Sequence, residues 1–147
     1  MDNCVFENNY VIVTGGGSGA AINLNYGPAT IRNSQFVGNF VTASTAFGGA
    51  YFCNYFFVDQ PNMFTNTTCL FNFVSGSGQA DGGAIYSGQT LLLSGGIFKG
   101  NTANSPDAVG GAISVPAGGL ATNISISGMC AYGVNLWFNI CLTPSGV

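Results

Sequence analysis

Gly82-Gly83-Ala84-Ile85 is the stretch that decides the fold, because it recurs. It returns as Gly48-Gly49-Ala50-Tyr51 and as Gly110-Gly111-Ala112-Ile113, with a degenerate copy at Gly19-Ala20-Ala21-Ile22. A second motif precedes each copy. It reads Asn3-Cys4-Val5-Phe6-Glu7-Asn8-Asn9, Asn33-Ser34-Gln35-Phe36-Val37-Gly38-Asn39, Asn66-Thr67-Thr68-Cys69-Leu70-Phe71-Asn72 and Gly95-Gly96-Ile97-Phe98-Lys99-Gly100-Asn101. The shared pattern is Asn or Gly, two residues, Phe or Cys, two residues, Asn. Phe6, Phe36, Cys69 and Phe98 are 30, 33 and 29 apart, and Ile22, Tyr51, Ile85 and Ile113 are 29, 34 and 28 apart. Two independent motifs thus share one period of about 30 residues, the mark of a repeat architecture.

The composition selects the kind of repeat. The chain has 23 Gly and is rich in Asn, Ser and Thr, without the helical spacing of apolar residues that a helical repeat needs. Short apolar runs bounded by Gly, Asn and Pro read as strands between turns. Tyr10-Val11-Ile12-Val13, Ala29-Thr30-Ile31, Thr90-Leu91-Leu92-Leu93 and Asn123-Ile124-Ser125-Ile126-Ser127 are such runs. A coil of three short strands uses about 30 residues with its turns. The fold expected is all-β: a right-handed parallel β-helix, or solenoid. It forms one domain over residues 1–147, with coils over about 1–32, 33–65, 66–94, 95–122 and 123–147.

This fold gives each motif residue a place. Phe6, Phe36, Cys69 and Phe98 form one inward stack, and Ile22, Tyr51, Ile85 and Ile113 a second. Asn9, Asn39, Asn72 and Asn101 form an inward ladder, because an amide carries both donor and acceptor and can bond the coil above and below. The paired glycines suit a bend with positive φ or a close backbone approach. Gly15-Gly16-Gly17-Ser18-Gly19, Ser75-Gly76-Ser77-Gly78-Gln79-Ala80-Asp81 and Asn104-Ser105-Pro106-Asp107 read as turns.

The pairing of Gly-Gly-Ala-Ile with Phe-x-x-Asn resembles the repeat of the polymorphic membrane proteins of chlamydiae. The match lies at Phe6/Asn9, Phe36/Asn39, Phe98/Asn101 and the three clear Gly-Gly-Ala copies, within about residues 1–115. Cys69 and Gly19-Ala20-Ala21-Ile22 depart from it. The resemblance implies a surface-exposed, often adhesive β-helix passenger.

Charged residues make up 5% of the chain, hydrophobic residues 47%, and the net charge is −3. Ordinary soluble domains are about 25% charged. An uncharged surface of amides, hydroxyls and apolar groups favours association with copies of the same chain or with uncharged glycans. No basic patch exists for nucleic acid. No run reaches the roughly 18 apolar residues of a membrane-spanning helix, and no signal peptide is visible. Met1 is followed at once by a repeat, and neither end shows a capping helix, so end-to-end stacking or a longer parent chain is expected.

Catalysis is not expected. The acids and bases are Asp2, Glu7, Asp59, Asp81, Asp107, Arg32 and Lys99, and there is no His. This inventory offers no clustered carboxylates and no Ser-His or Cys-His pair. No cofactor or metal is expected. Asp81 and Asp107 precede Gly-Gly pairs and lie on one plausible edge, yet a calcium site would need more oxygen ligands.

The expected contact surface is the aromatic segment 51–64 and the apolar run at 135–142. Its candidate residues are Phe52, Tyr55, Phe56, Phe57, Phe64 and Trp137. Of five cysteines, Cys130 and Cys141 are the pair expected to bridge if the chain is secreted. Asn66-Thr67-Thr68 and Asn123-Ile124-Ser125 are sequons, making Asn66 and Asn123 glycosylation candidates. Two functional classes remain. One is a structural subunit of an extracellular fibre or cell-surface assembly, self-associating through coil ends and apolar surface. The other is an adhesin or glycan-binding module.

Overall fold

The computed structural model describes residues 1–54, 60–116, 119–127 and 130–132. Every regular element in it is a strand. The first coil holds β1 (Val5–Glu7), β2 (Tyr10–Ile12), β3 (Gly16–Ser18) and β4 (Ile22–Leu24). The second holds β5 (Thr30–Arg32), β6 (Gln35–Val37), β7 (Phe40–Ala43), β8 (Thr45–Phe47) and β9 (Tyr51–Cys53). The third holds β10 (Asn62–Leu70), β11 (Phe73–Gly76), β12 (Gln79–Asp81) and β13 (Ile85–Ser87). Then follow β14 (Leu91–Lys99), β15 (Thr102–Asn104), β16 (Asp107–Val109) and β17 (Ile113–Ser114), and lastly β18 (Gly119–Ser127) and β19 (Cys130–Tyr132).

Each strand pairs in parallel with its counterparts in adjacent coils, giving a β-solenoid of about four turns. The walls are four sheets, where the sequence suggested three strands per coil. The first runs β1-β6-β10-β14-β18, with β5 also on β10. The second runs β2-β7-β11-β15-β19, the third β3-β8-β12-β16 and the fourth β4-β9-β13-β17. The extra wall is the third sheet; β3 and β12 lie within segments that read as turns, and β16 starts at the end of a third. Its inward column is Gly17, Ala46, Ala80 and Ala108. Such small side chains leave no hydrophobic alternation to read, and pairing with the coil above and below supplies the hydrogen bonds.

The core follows from strand alternation. Phe6, Phe36, Cys69 and Phe98 stand in register on the first sheet. The rings of Phe6 and Phe36 stack at 4.9 Å. Ile22, Tyr51, Ile85 and Ile113 stand in register on the fourth sheet and pack into the same cluster. A second cluster, with Val41, Val74 and Ala103, lies between the second and third sheets.

Left-handed corners bend each coil at recurring positions, within the first sheet as well as between walls. Asn3, Asn33, Asn66 and Gly95 (φ 53°, 49°, 50° and 66°) hold one such corner. Only Asn and Gly adopt this region readily, which explains the first position of the Asn/Gly motif. The coil boundaries read from sequence at 32/33, 65/66 and 94/95 fall at this bend, inside the first sheet. Gly19, Gly48, Gly82 and Gly110 hold another corner (φ 56° to 67°). A side chain on the second glycine of the pair would strike the adjacent coil: a Cβ on Gly49 meets the Gly83 carbonyl and one on Gly83 meets Gly111. Close stacking of coils therefore sets the Gly-Gly pair.

Corner lengths are unequal in their freedom. Between the inward residues of the first and second sheets the step is always five: Phe6 to Val11, Phe36 to Val41, Cys69 to Val74, Phe98 to Ala103. It is five again from third to fourth sheet, from Gly17 to Ile22, Ala46 to Tyr51, Ala80 to Ile85 and Ala108 to Ile113. From fourth sheet back to first it is nine from Ile22 to Ile31, 13 from Tyr51 to Phe64 and eight from Ile85 to Leu93.

Candidate functional site: ladder, corner acid and outer walls

The asparagine column is a hydrogen-bonded ladder in the corner between first and second sheets. The backbone N–H and Nδ2 of Asn9 both donate to Asn39 Oδ1, at 3.1 and 2.8 Å. Asn39 donates in the same way to Asn72 Oδ1 (3.0 and 3.0 Å), and Asn72 to Asn101 Oδ1 (3.0 and 2.9 Å). Each Nδ2 from Asn39 onward also reaches back one coil, to the carbonyls of Phe6, Phe36 and Cys69. Asn39, Asn72 and Asn101 are fully buried. Every amide points the same way, and this column holds the coils together rather than offering a site.

A second buried polar group fills the corner between fourth and first sheets. Asn62 Oδ1 accepts from the Tyr51 hydroxyl (2.9 Å) and the Ala29 N–H (2.8 Å), and its Nδ2 donates to Ser87 Oγ (2.8 Å). Ser87 Oγ donates to the Gln89 carbonyl at 2.8 Å. Burial, with Cys53 beside it, pushes the Tyr51 hydroxyl far above its usual range. Burial likewise raises the Cys69 thiol, leaving it an inert apolar filler of the Phe stack. Cys4, Cys53 and Cys69 are free thiols.

Asp81 is the one acid placed in a buried setting among the described residues. It stands on the outward side of the third sheet, in register with Phe47 and Val109. Beside it Phe47, Phe52 and Tyr86 form an aromatic group, with Phe47–Tyr86 and Phe52–Tyr86 centroids 4.9 and 5.4 Å apart. Oδ2 accepts from Gln79 Nε2 at 2.7 Å, while Oδ1 is buried without a partner. Desolvation raises the carboxyl to about 6, and the Gln79 hydrogen bond opposes the rise. Burial and the Asp81 charge raise Tyr86 in turn. Asp107 is opposite Gln79, not Asp81. The edge expected to join the two acids therefore separates them by one outward position, and among the described residues no three His, Cys, Asp or Glu side chains cluster for a metal.

The structure redraws the expected contact surface. Phe52 is 7% exposed and Phe64 1%, so both leave it. Phe52 lies on β9 and Phe64 on β10. Phe64 packs edge-on against Tyr51 at 5.0 Å. Tyr55, Phe56, Phe57 and Trp137 lie outside the described residues, as does Cys141 of the expected disulfide. Asn66 is exposed at its left-handed corner, its Nδ2 3.4 Å from Asn33 Oδ1. Asn123 occupies the same corner position two coils on, between Thr122 and Ile124 of β18.

Exposed apolar groups line the outward faces of the first and second sheets, and Tyr26, 79% exposed, lies on the return from the fourth sheet to the first. Tyr10, Phe40 and Phe73 form an external column on the second sheet, with Tyr10 and Phe40 stacked at 5.5 Å. Tyr10 is 66% exposed. The signal was available: each follows a ladder asparagine directly. Phe71 (φ 53°) is exposed at the adjoining corner, with its ring over Gly100. On the first sheet Val5, Met63 and Ile97 are exposed. No described helix is long and apolar enough to cross a membrane. Comparison with family models, curated proteins and solved structures returns no match.

Proposed function

We propose that this solenoid is a non-catalytic structural unit of an extracellular or cell-surface assembly, joined to copies of itself through its apolar outer walls. The carrying observation is the exposed apolar surface of the first two sheets in a chain with only 5% charged residues. Removing such surface from water is worth about 25 cal/mol per Å², and few charges are present to oppose contact between copies. The resemblance to chlamydial surface repeats supports the setting. Sedimentation velocity and negative-stain electron microscopy over a concentration series test the proposal. Regular association that grows with concentration is expected, and a monomer throughout refutes it.

A second reading, a glycan-binding or adhesive module, rests on the Tyr10–Phe40 stack. An exposed aromatic column offers flat apolar faces with a hydroxyl at one end, the arrangement that suits an amphipathic ring. Binding to a glycan array that Tyr10→Ala abolishes, by a protein that stays monomeric, would favour this reading over the first.

A further inference from the structure

Over its first four coils the outward face of the first sheet is chemically palindromic along the solenoid axis, and we infer that this stretch forms a two-fold interface with a second copy of this chain. This inference rests on the self-association proposed above and names its surface. Beyond the bend at Asn33, Asn66 and Gly95, each coil turns two side chains outward. Over the first four coils one column reads Val5, Gln35, Thr68, Ile97, and the other reads Glu7, Val37, Leu70, Lys99; in the fifth coil the columns continue to Ser125 and Ser127. Val5 and Ile97 are 64% and 47% exposed. Glu7, Gln35 and Lys99 are exposed too, while Val37, Thr68 and Leu70 are half-buried by their column neighbours. The first column is apolar, polar, polar, apolar. The second is acidic, apolar, apolar, basic.

Two copies of a sheet can meet face to face about a two-fold axis along the strands or along the solenoid. An axis along the strands reverses the coil order and sets each column against itself. Glu7 then faces the partner's Lys99, and Val37 faces the partner's Leu70. In the other column Val5 faces the partner's Ile97, and Gln35 faces the partner's Thr68. Each position of the four coils meets a group of matching chemistry, and the two ion pairs fall at the ends of the matched stretch. An axis along the solenoid keeps the coil order and sets one column against the other. Glu7 would lie on the partner's Val5, and Lys99 on the partner's Ile97. Both charges would then lie against apolar side chains without gaining a partner. The sequence of the two columns therefore selects the antiparallel arrangement. The matched four of the sheet's five coils give a small face, at about 4.8 Å per coil, with Ser125 and Ser127 lying beyond it. The dimer belongs with weak, concentration-dependent contacts of under about 1,200 Å².

Sedimentation equilibrium on the whole chain tests this, with Glu7→Lys, Lys99→Glu and the double reversal. Each single reversal sets two like-charge pairs in the dimer and should weaken association at least about tenfold. The double reversal restores both pairs and should return to within about threefold of the starting affinity. Both positions are exposed, so circular dichroism and thermal midpoint should not move. Carbodiimide, which joins carboxylate to amine, should yield a covalent dimer containing a Glu7–Lys99 linked peptide. Association that ignores the single reversals, or a double reversal no better than either single, overturns this interface while leaving self-association standing. A monomer at every concentration overturns both.

Discussion

Replacing Asn72 by Ala cuts the asparagine ladder at its middle. Three groups lose a partner: the Asn39 N–H, the Asn39 Nδ2 and the Phe36 carbonyl. Asn39 and Asn72 are fully buried, so water does not replace the missing amide. An orphaned buried polar group costs about 1–3 kcal/mol. With some relaxation of the coils the loss should be about 3–5 kcal/mol, a large share of the stability of any domain of this size. Asn9 supplies the control. Its side chain is half-exposed, and removing it leaves Asn39 Oδ1 still accepting from the Asn9 backbone N–H. Asn9→Ala should therefore cost under about 1 kcal/mol. Urea denaturation followed by circular dichroism reads both, with an unchanged slope confirming that the unfolding reaction is the same. Equal losses at the two positions would refute the idea that buried amides hold the coils in register.

Asp81→Asn should stabilise the fold at pH 7.5 and leave it unchanged at pH 4. The folded carboxyl titrates near 6 against 3.8 for the free group. The native state thus holds the proton longer, and the penalty appears as pH rises from about 4 to 6. Two units correspond to nearly 3 kcal/mol, which solvent near the corner trims to about 1–2 kcal/mol; thermal melts across that range would show the variant and the parent converging at low pH. Gly82→Ala should cost more than about 2 kcal/mol, because φ is +67° and the added Cβ meets the Ile85 carbonyl oxygen. A cost of a few tenths in denaturant titrations would contradict the corner geometry. Native-state labelling with iodoacetamide at pH 8 should modify Cys4 long before Cys69, whose buried thiol resists ionisation. Equal labelling rates, read by peptide mass, would place Cys69 outside the core.

The period was legible because the stacked side chains are large and alike. Phe6, Phe36 and Phe98 repeat at one spacing, and their asparagines follow three residues later. The Asn-or-Gly position was legible as a pattern, while its cause, a left-handed corner, needed the backbone. The third sheet was not legible. Gly16–Ser18, Gln79–Asp81 and Asp107–Val109 have no large apolar residues facing inward, and they are strands because of what lies above and below them. The surface expectation fails at Phe52 and Phe64, because Phe64 packs on Tyr51 in the core and Phe52 is covered on the outside by Phe47 and Tyr86. The external column of Tyr10, Phe40 and Phe73 is sparse along the chain and dense only across coils.

The unequal corners have a consequence for how such a chain can change. Steps of five residues between first and second sheets, and between third and fourth, admit no insertion without displacing an inward column. The step from second sheet to third changes by one residue, being six from Val11 to Gly17 and Val74 to Ala80 and five from Val41 to Ala46 and Ala103 to Ala108, and the return from fourth sheet to first varies most, over residues 25–29, 54–61 and 88–90. Insertions longer than one residue are thus channelled to one seam running along the molecule. Mutational novelty by long insertion accumulates along that line, while the second-to-third corner absorbs a single residue and the two five-residue steps diversify by substitution. The same seam is where a foreign peptide could be grafted, between Cys53 and Asn62, at the least cost to the stacking of the coils.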